Sequence, residues 1–167
     1  TTERGVVYEG EGVLLPVFGD NKVLFCQQRF FPDKKFITKG DKTHPFVIKC
    51  ERSVCLYIVE DFISAIRLGE FANVLCLFGT SLHYEALQYI KESGYNVVVW
   101  LDNDEAGAKG AEIILDKITK SLICETKYRA FAVREPRSVS NLRTNKQPKE
   151  YSNEELKTII RGKHAVI

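Results

Sequence analysis

The most constraining feature of this sequence is a repeated alternation, from residue 51 onward, between short apolar runs and segments of helical periodicity. The apolar runs are almost free of polar side chains, which is typical of strands buried on both faces. The segments between them are long enough to serve as helical crossovers between parallel strands. The pattern therefore predicts an α/β fold, with a parallel sheet flanked by helices. In chain order the predicted strands and helices are CLYIVE, DFISAIRLGE, VLCLFGTS, LHYEALQYIKESG, NVVVWLDND, EAGAKGAEIILDKITKSL and YRAFAV.

Capping residues predict where the helices begin and end. Asp61 precedes the first helical segment and can accept hydrogen bonds from its first free N–H groups. Gly69 and Gly94 follow the apolar periods of the first and second helices, where glycine commonly ends a helix. We therefore expect the first helix to begin after Asp61 and the second to end at Gly94.

The first 50 residues show a different pattern. GVLLPVF, KVLFCQQRFF and KKFITKG are short strand-like runs separated by turn residues. Eight lysines and arginines against six acidic residues make this part slightly basic. It is expected to form a small antiparallel β-rich basic subdomain that precedes the parallel sheet.

The end of the chain begins as a polar loop, REPRSVSNLRTNKQPKEYSNEE, and continues into a short helical pattern. Ser152 or Asn153 is the expected cap of that helix and Gly162 its expected end. The predicted domains are accordingly a basic β-rich subdomain at 1–50, an α/β domain at 51–137, and a loop with a C-terminal helix at 138–167.

Charge is distributed unevenly along the chain. The net formal charge is +2 for residues 1–50, −6 for residues 51–126 and +6 for residues 127–167. An acidic centre between basic flanks is typical of a metal-using protein that handles a polyanion. Chance segregation of solvated faces remains the alternative.

Two classes of protein are disfavoured by composition. No apolar run approaches the roughly 20 residues that a membrane helix needs, so we expect no membrane partner and a cytoplasmic location. The five cysteines form no C-x-x-C pair and the three histidines are far apart, so we expect no structural zinc site.

Acidic residues stand at the ends of two predicted strands. If the third strand runs through Asp102 and Asp104, their side chains point to the same side, because residues two apart in a strand share a face. The alternative is that Asp104 caps the next helix and Asp102 is a turn residue. Glu60 follows the first strand at the corresponding edge, where α/β sheets bind their ligands. These three carboxylates predict a site for Mg²⁺ or Mn²⁺.

A receiver-type phosphoacceptor domain also clusters acids at strand ends. Such a domain would need a lysine at the end of a later strand, and the predicted fourth strand ends instead at Arg134. We therefore prefer the metal-site interpretation of these carboxylates.

Three motifs together resemble a TOPRIM domain, the catalytic module of bacterial-type primases, type IA and II topoisomerases and some nucleases. They are LYIVEDFISAIRL for the glutamate motif, CLFGTSLHYEAL for the Gly-Thr-Ser turn and VVVWLDNDEAGAKGAEII for the D-x-D-x-A-G motif. The resemblance covers roughly residues 51–137 and is closest to phage and bacterial primases. It implies catalytic and metal-binding roles for Glu60, Asp102 and Asp104.

The segment before the TOPRIM motifs is similar to the basic subdomain of primase cores. The stretch QQRFFPDKKFITKGDKTHPFVIK places Arg29, Lys35 and Lys49 at positions where primases carry basic residues. The resemblance implies that these three side chains contact template, primer or nucleotide phosphates. The aromatic residues Phe30, Phe31 and Phe36 can stack on bases or fill the core of the subdomain.

Two departures from the family pattern concern the acidic ligands. Family members carry a glycine and a later aspartate after the glutamate, and here Asp61 and Ser64 stand at those places. Either an acidic ligand is missing or Asp61 partly replaces it. The acidic motif expected after the fourth strand is reduced to REPRS, with Glu135 as its acid, so the number of metal ions stays open.

The resemblance implies a nucleotidyltransferase that synthesises RNA primers on single-stranded DNA from ribonucleoside triphosphates during DNA replication. A metal-dependent nuclease and a non-catalytic nucleic-acid-binding module are the alternatives. The start TTERGVVY favours a fragment whose zinc-ribbon and helicase domains belong to the same or an associated chain. A phage-encoded protein acting in the host cytoplasm is consistent with this resemblance.

Overall fold

The structure is a computed structural model, and it describes residues 2–3, 6–7, 11–19, 22–32, 36–126, 136 and 138–164. The chain divides into two compact units, Thr1–His44 and Pro45–Ile167. Within the described ranges, no helix combines the length and apolar character needed to cross a membrane.

The first unit consists of antiparallel strands, as predicted. A short pair is followed by a three-stranded sheet in which the middle strand in sequence is also central in space. Val17, Phe25, Phe30 and Ile37 are buried apolar side chains of this unit. The strands are β1 Thr2–Glu3, β2 Val6–Val7, β3 Gly12–Gly19, β4 Lys22–Phe30 and β5 Phe36–Gly40.

The second unit contains a five-stranded, mostly parallel sheet, which confirms the predicted fold class. Its strands are β6 Phe46–Ile48, β7 Cys55–Val59, β8 Asn73–Cys76, β9 Asn96–Val99 and β10 Val139–Asn141. Their spatial order is β10-β9-β7-β8-β6, and only β6 runs antiparallel to its neighbour. The central strand β7 is buried along its whole length, because both faces of the sheet are covered.

Within the described part of this unit, four helices accompany the sheet. They are α1 Phe62–Gly69, α2 Tyr84–Ser93, α3 Glu105–Thr126 and α4 Asn153–His164, and a single turn of 3-10 helix at Pro148–Glu150 precedes α4. Asp61 caps α1 through hydrogen bonds from the N–H groups of Ile63 and Ser64, and Gly94 ends α2 with a φ of 68°. Both predicted caps are therefore confirmed.

The hydrophobic core lies between the sheet and helices α2 and α3. Leu56 and Ile58 of β7, Leu75 of β8, and Ile114 and Ile118 of α3 are completely buried there. Because the apolar stripe of each helix packs on apolar strands, the core needs only the periodicity visible in the sequence. It holds the carboxyl ends of β7 and β9 side by side.

The structure departs from the sequence prediction at several element ends. The third predicted strand ends at Val99, so it does not run through the two aspartates, and the second ends at Cys76 rather than Gly79. Helix α4 continues past Gly162 to His164. The predicted strand YRAFAV lies outside the described residues.

An unpredicted strand, β10, forms within the segment expected to be a polar loop. Its backbone bonds to β9, where the N–H of Val97 donates to the carbonyl of Ser138 at 2.8 Å. The N–H of Leu142 donates to the carbonyl of Val99 at 2.8 Å. Sheet pairing uses backbone groups, so half-buried polar residues such as Ser140 and Asn141 can form a strand that lacks an apolar signal.

Candidate metal centre

Glu60 and Asp102 lie at the same edge of the sheet, just beyond the carboxyl ends of two adjacent parallel strands. In the register of β7 and β9, Ile58 is opposite Val99. The N–H of Trp100 continues this pairing by donating to the carbonyl of Ile58 at 2.8 Å. Since neighbouring strands lie about 4.8 Å apart, the two acids are brought to one place by the sheet itself.

Asp104 is the cap of α3, as the alternative interpretation of the sequence held. Its Oδ1 accepts a hydrogen bond from the N–H of Gly107 at 2.7 Å. Its carbonyl accepts from the N–H of Ala108 at 2.9 Å. This capping bond uses one carboxylate oxygen, so the second is left for another contact. Capping and cation binding are therefore compatible roles for Asp104.

Gly107 explains the glycine of the D-x-D-x-A-G motif. A Cβ atom at this position would collide with the carbonyl oxygen of Asp102. Only glycine therefore allows the turn after β9 to fold tightly onto the first turn of α3.

Glu60 has the most perturbed acidity among these carboxylates. Burial, and then the charges of Asp102 and Asp104, raise the pKa of Glu60 from 4.5 to about 7. Its Oε2 is buried and finds no hydrogen-bond partner among the described residues. A buried carboxylate oxygen without a partner is costly, so a cation or a proton is expected at this atom.

Asp102 is held by a residue from far along the chain. The Nε2 of Gln147 donates a hydrogen bond to Asp102 Oδ2 at 2.6 Å. Burial raises the pKa of Asp102, and the nearby positive charge of Lys149 opposes that rise. Asp102 is thus partly neutralised by the segment that carries Gln147 and Lys149.

Asp61 is committed to protein contacts through both of its oxygens. Its Oδ1 accepts the two capping bonds of α1, and its Oδ2 accepts from the hydroxyl of the buried Ser64 at 2.6 Å. The Nζ of Lys149 also lies 3.2 Å from Asp61 Oδ2. Ser64 therefore orients Asp61. Both carboxylate oxygens of Asp61 already accept protein contacts, unlike the Oε2 atom of Glu60.

The carboxylates fit a hard divalent cation in chemical type. Oxygen donors are the ligands that Mg²⁺ and Mn²⁺ prefer. The charges of Asp102 and Asp104 act on Glu60, and Glu60 Oε2 lacks a partner among the described residues. Over the part of the chain that the structure describes, no group of three His, Cys, Asp or Glu side chains is already close enough to hold a metal. Repulsion between like charges opposes such closeness without a counter-ion.

Of the three predicted phosphate-binding residues, Lys49 belongs to the same unit as the acids and lies at another edge of the sheet. Lys49 follows β6, whose Ile48 pairs with Val74 near the start of β8. It is exposed, at the edge opposite to Glu60, and the four residues of β8 separate those edges by roughly 10 Å. Lys35 lies outside the described residues.

Arg29 belongs to the first unit, where it contacts two aromatic rings. Its Cζ lies 5.4 Å from the ring centroid of Phe31 and 5.3 Å from that of Phe36. Both rings are substantially exposed, whereas Phe30 is buried in the core of the unit. Phe31 and Phe36 are therefore available as surface aromatics, and Phe30 is not.

Gln147 and Lys149 were not recognised from the sequence. They lie in the polar stretch TNKQPKE, which has neither periodicity nor a motif. Their partners are 45 and 88 residues away along the chain, respectively. A single sequence carries no signal for such a contact between distant residues.

Comparison with protein families finds a similarity for the central segment. A family described as Toprim-like matches residues 57–135. This segment is therefore similar to Toprim-like domains. Glu60, Asp102 and Asp104 all lie inside the matched segment, whereas Gln147 and Lys149 lie beyond its end.

A solved structure shows a similar fold over most of the chain. The chain resembles the zinc-binding and RNA polymerase domains of the Aquifex aeolicus primase, with a TM-score of 0.62 and 18% identity. The match covers 90% of this chain and 40% of that chain. At this identity the likeness establishes a primase-like fold.

A second similar structure is the primase fragment of the bacteriophage T7 primase-helicase protein. Its TM-score is 0.49 and its identity 16%, covering 86% of this chain and 56% of that chain. A search of curated proteins found no match.

Proposed function

We propose that this chain is the catalytic core of a DNA primase, a nucleotidyltransferase that synthesises RNA primers on single-stranded DNA during replication. The observation that carries the proposal is the carboxylate group at the strand ends of the Toprim-like domain, with the buried and unpartnered Oε2 of Glu60 among the described residues. The likeness to the fold of the Aquifex primase domains supports the choice of primase within the TOPRIM class.

Toprim domains generally bind divalent metals. In this proposal Asp102, Asp104 and Glu60 would hold Mg²⁺ or Mn²⁺. When bound, such a cation neutralises charge on a nucleoside triphosphate and lowers the pKa of an attacking hydroxyl. The capping bond to Asp104 and the Gln147 bond to Asp102 orient these two carboxylates before substrate arrives.

Glu60 has a role at its Oε2 atom, either as a third ligand or as the group that transfers a proton. In the metal-free protein the pKa of Glu60 is about 7, so this carboxyl can hold a proton near neutral pH when no cation is bound. The carboxyl is partly shielded from bulk water, and its Oε2 atom is buried. The burial of Glu60 Oε2 and the nearby negative charges of Asp102 and Asp104 favour binding of either a cation or a proton at this atom.

Basic residues would hold the nucleic acid and nucleotide phosphates. We assign this role to Arg29, Lys35 and Lys49, with Phe31 and Phe36 as stacking partners for unpaired bases. Their contribution should weaken as salt concentration rises, because phosphate binding releases counterions. Zinc-ribbon and helicase domains, in the same or an associated chain, would complete the priming system.

A primer-synthesis assay tests the proposed function. The protein is joined to its native flanking domains where they exist, and incubated with single-stranded template, labelled ribonucleotides and Mg²⁺ or Mn²⁺. We expect template-dependent oligonucleotides that fall at least about 100-fold in Asp102→Asn, as for other losses of transition-state charge stabilisation. The matched control is Asp116→Asn, an acid on α3 that pairs with Lys120 at the surface.

The same assay separates the alternative functions. Shortening of the template, lost in Asp102→Asn, would show a metal-dependent nuclease instead of a primase. Salt-sensitive binding of single-stranded DNA without any covalent product would show a nucleic-acid-binding module.

A further inference from the structure

The ammonium group of Lys149 lies near acidic residues at the carboxyl ends of the parallel strands. Its Nζ lies 3.2 Å from Asp61 Oδ2, with the lysine side chain 30% and the aspartate 18% exposed. The same charge also acts on Asp102. An ion pair this sheltered is less screened by solvent than an ordinary surface pair.

The segment that carries Lys149 is fixed to the fold on both sides. Before it, Thr144 accepts a hydrogen bond from the indole N–H of Trp100 at 2.9 Å. After it, the carbonyl of Tyr151 accepts from Arg67 Nη2 at 2.6 Å, and the Tyr151 ring packs against Trp100. Trp100 follows β9 and Arg67 lies on α1, so the two elements beside the acids hold this segment.

The 3-10 turn itself is internally braced. The N–H of Gln147 donates to Glu150 Oε2 at 2.7 Å, the N–H of Glu150 donates to the Gln147 carbonyl at 2.9 Å, and Pro148 is buried. Gln147 and Lys149 project from this turn onto two different acids, Asp102 and Asp61. Lys149 is consequently a positioned charge rather than a freely moving surface lysine.

We propose that Lys149 is a built-in cation of the acidic site, which neutralises Asp61 and restricts the site to a single divalent cation at Glu60, Asp102 and Asp104. This inference rests on the proposed metal role of those three residues. The number of metal ions was left open by Ser64 and by the reduced REPRS motif. On this inference, the side chain of Lys149 supplies the positive charge that a further metal ion would bring.

The physical argument is one of competing charges. Glu60, Asp61, Asp102 and Asp104 carry four formal negative charges when ionised, enough to attract more than one divalent ion. Lys149 removes one of these charges at the acid whose oxygens already serve the α1 cap and Ser64. A second cation would have to displace Lys149 from Asp61 and then stand beside its ammonium group, which like charges oppose.

Calorimetric titration with Mn²⁺ tests the inference without nucleotide, template or catalysis. The full chain is compared with Lys149→Gln, which keeps a hydrogen-bond donor for Asp61 but removes the charge. Lys149→Arg keeps the charge. Lys146→Gln is the matched control, because Lys146 lies in the same segment but pairs with Glu155 and the Tyr151 ring. Thermal melting verifies that each variant is folded, and Lys149→Met replaces Lys149→Gln if the latter is not.

We expect one Mn²⁺ per chain in the wild type, Lys149→Arg and Lys146→Gln. Lys149→Gln should bind the first Mn²⁺ about tenfold more tightly and admit a second, since a nearby like charge has been removed. Binding by the variant alone would overturn both the single-cation stoichiometry and the metal role proposed for the wild type.

Three results would overturn the inference. Two Mn²⁺ in the wild type, or identical isotherms for the wild type and Lys149→Gln, would remove the role of Lys149 and leave the proposed metal role standing. Absence of Mn²⁺ binding in every protein would overturn both, and the primer-synthesis assay would then judge the proposed function separately.

Discussion

At Glu60, the features that favour the proposed function lower the stability of the folded protein. The carboxyl of Glu60 is half-buried near two other acids, and its buried Oε2 lacks a hydrogen-bond partner among the described residues. Such a group destabilises the folded state when it is charged. It is retained, we infer, because the same features attract a cation or hold a proton.

Replacing Glu60 by Gln should therefore stabilise the metal-free protein at pH 8. Raising the folded-state pKa from 4.5 to about 7 means that the folded protein holds a proton that the unfolded chain has already released. Wild-type stability falls as pH rises between those two values and stays low above them. We expect the free energy of unfolding in EDTA to be about 1–3 kcal/mol higher in Glu60→Gln above pH 7, and the difference to vanish near pH 4.

Urea denaturation at a series of pH values measures this difference. Glu112→Gln, an exposed glutamate on α3, is the control and should behave as the wild type. If the stability difference between Glu60→Gln and the wild type were the same at pH 8 as at pH 4, the raised pKa of Glu60 would be contradicted.

The element that positions the acids is the turn from β9 into α3. The strand stops at Val99 and the helix starts at Glu105, and Asp104 caps the helix in between. Gly107, in the first turns of α3, leaves space for the carbonyl oxygen of Asp102. The D-x-D-x-A-G motif is therefore a structural unit that sets the direction of both aspartates.

The substitution Gly107→Ala tests this unit. The added methyl group must displace the backbone of Asp102, so we expect a loss of about 1–3 kcal/mol in the free energy of unfolding. Mn²⁺ binding should weaken as well, because Asp102 moves. Chemical denaturation and calorimetry measure the two effects.

Gly162→Ala is the control for the Gly107 experiment. Gly162 also lies within a helix, but a Cβ there meets no atom within 4 Å. Alanine should stabilise this position by about 0.5–1 kcal/mol through its helix propensity. Equal stabilisation by both substitutions would refute the close approach at Gly107.

At the scale of the whole molecule, each sheet is completed within one unit of the chain. The three-stranded sheet belongs to Thr1–His44, and the five-stranded sheet to Pro45–Ile167. Every acid of the candidate site, together with Gln147 and Lys149, comes from the second unit. Arg29 and Lys35 come from the first, so the proposed metal and phosphate contacts are divided between the two units.

Residues 45–167 produced alone should keep the metal site. We expect Mn²⁺ affinity within about twofold of the full chain, because every acid of the candidate site, and Gln147 and Lys149, belong to residues 45–167. Affinity for single-stranded DNA at low salt should fall at least about tenfold, since two proposed phosphate contacts are lost. Calorimetry and fluorescence anisotropy measure these affinities, with Asp102→Asn in the same fragment as control. A folded fragment that binds no Mn²⁺ would contradict the expectation that residues 45–167 contain the whole metal site.

Much of the fold could be read from local pattern. The buried strand at Cys55–Val59, the cap at Asp61 and the end of α2 at Gly94 follow from apolar runs and terminal residues, whose effects act within a few positions. The meeting of Glu60 with Asp102 was also predictable, because parallel strands place their carboxyl ends at one edge.

Local pattern was sufficient to predict the alternation of strands and helices, the capping candidates and the acids at the strand ends. Folding established that residues 139–141 form an edge strand and that Lys149 reaches Asp61 across 88 positions. It also chose between the two sequence interpretations of Asp104, which caps α3. The physical reason is range: periodicity and capping act within a few positions, whereas strand pairing and ion pairs depend on groups that only folding brings together.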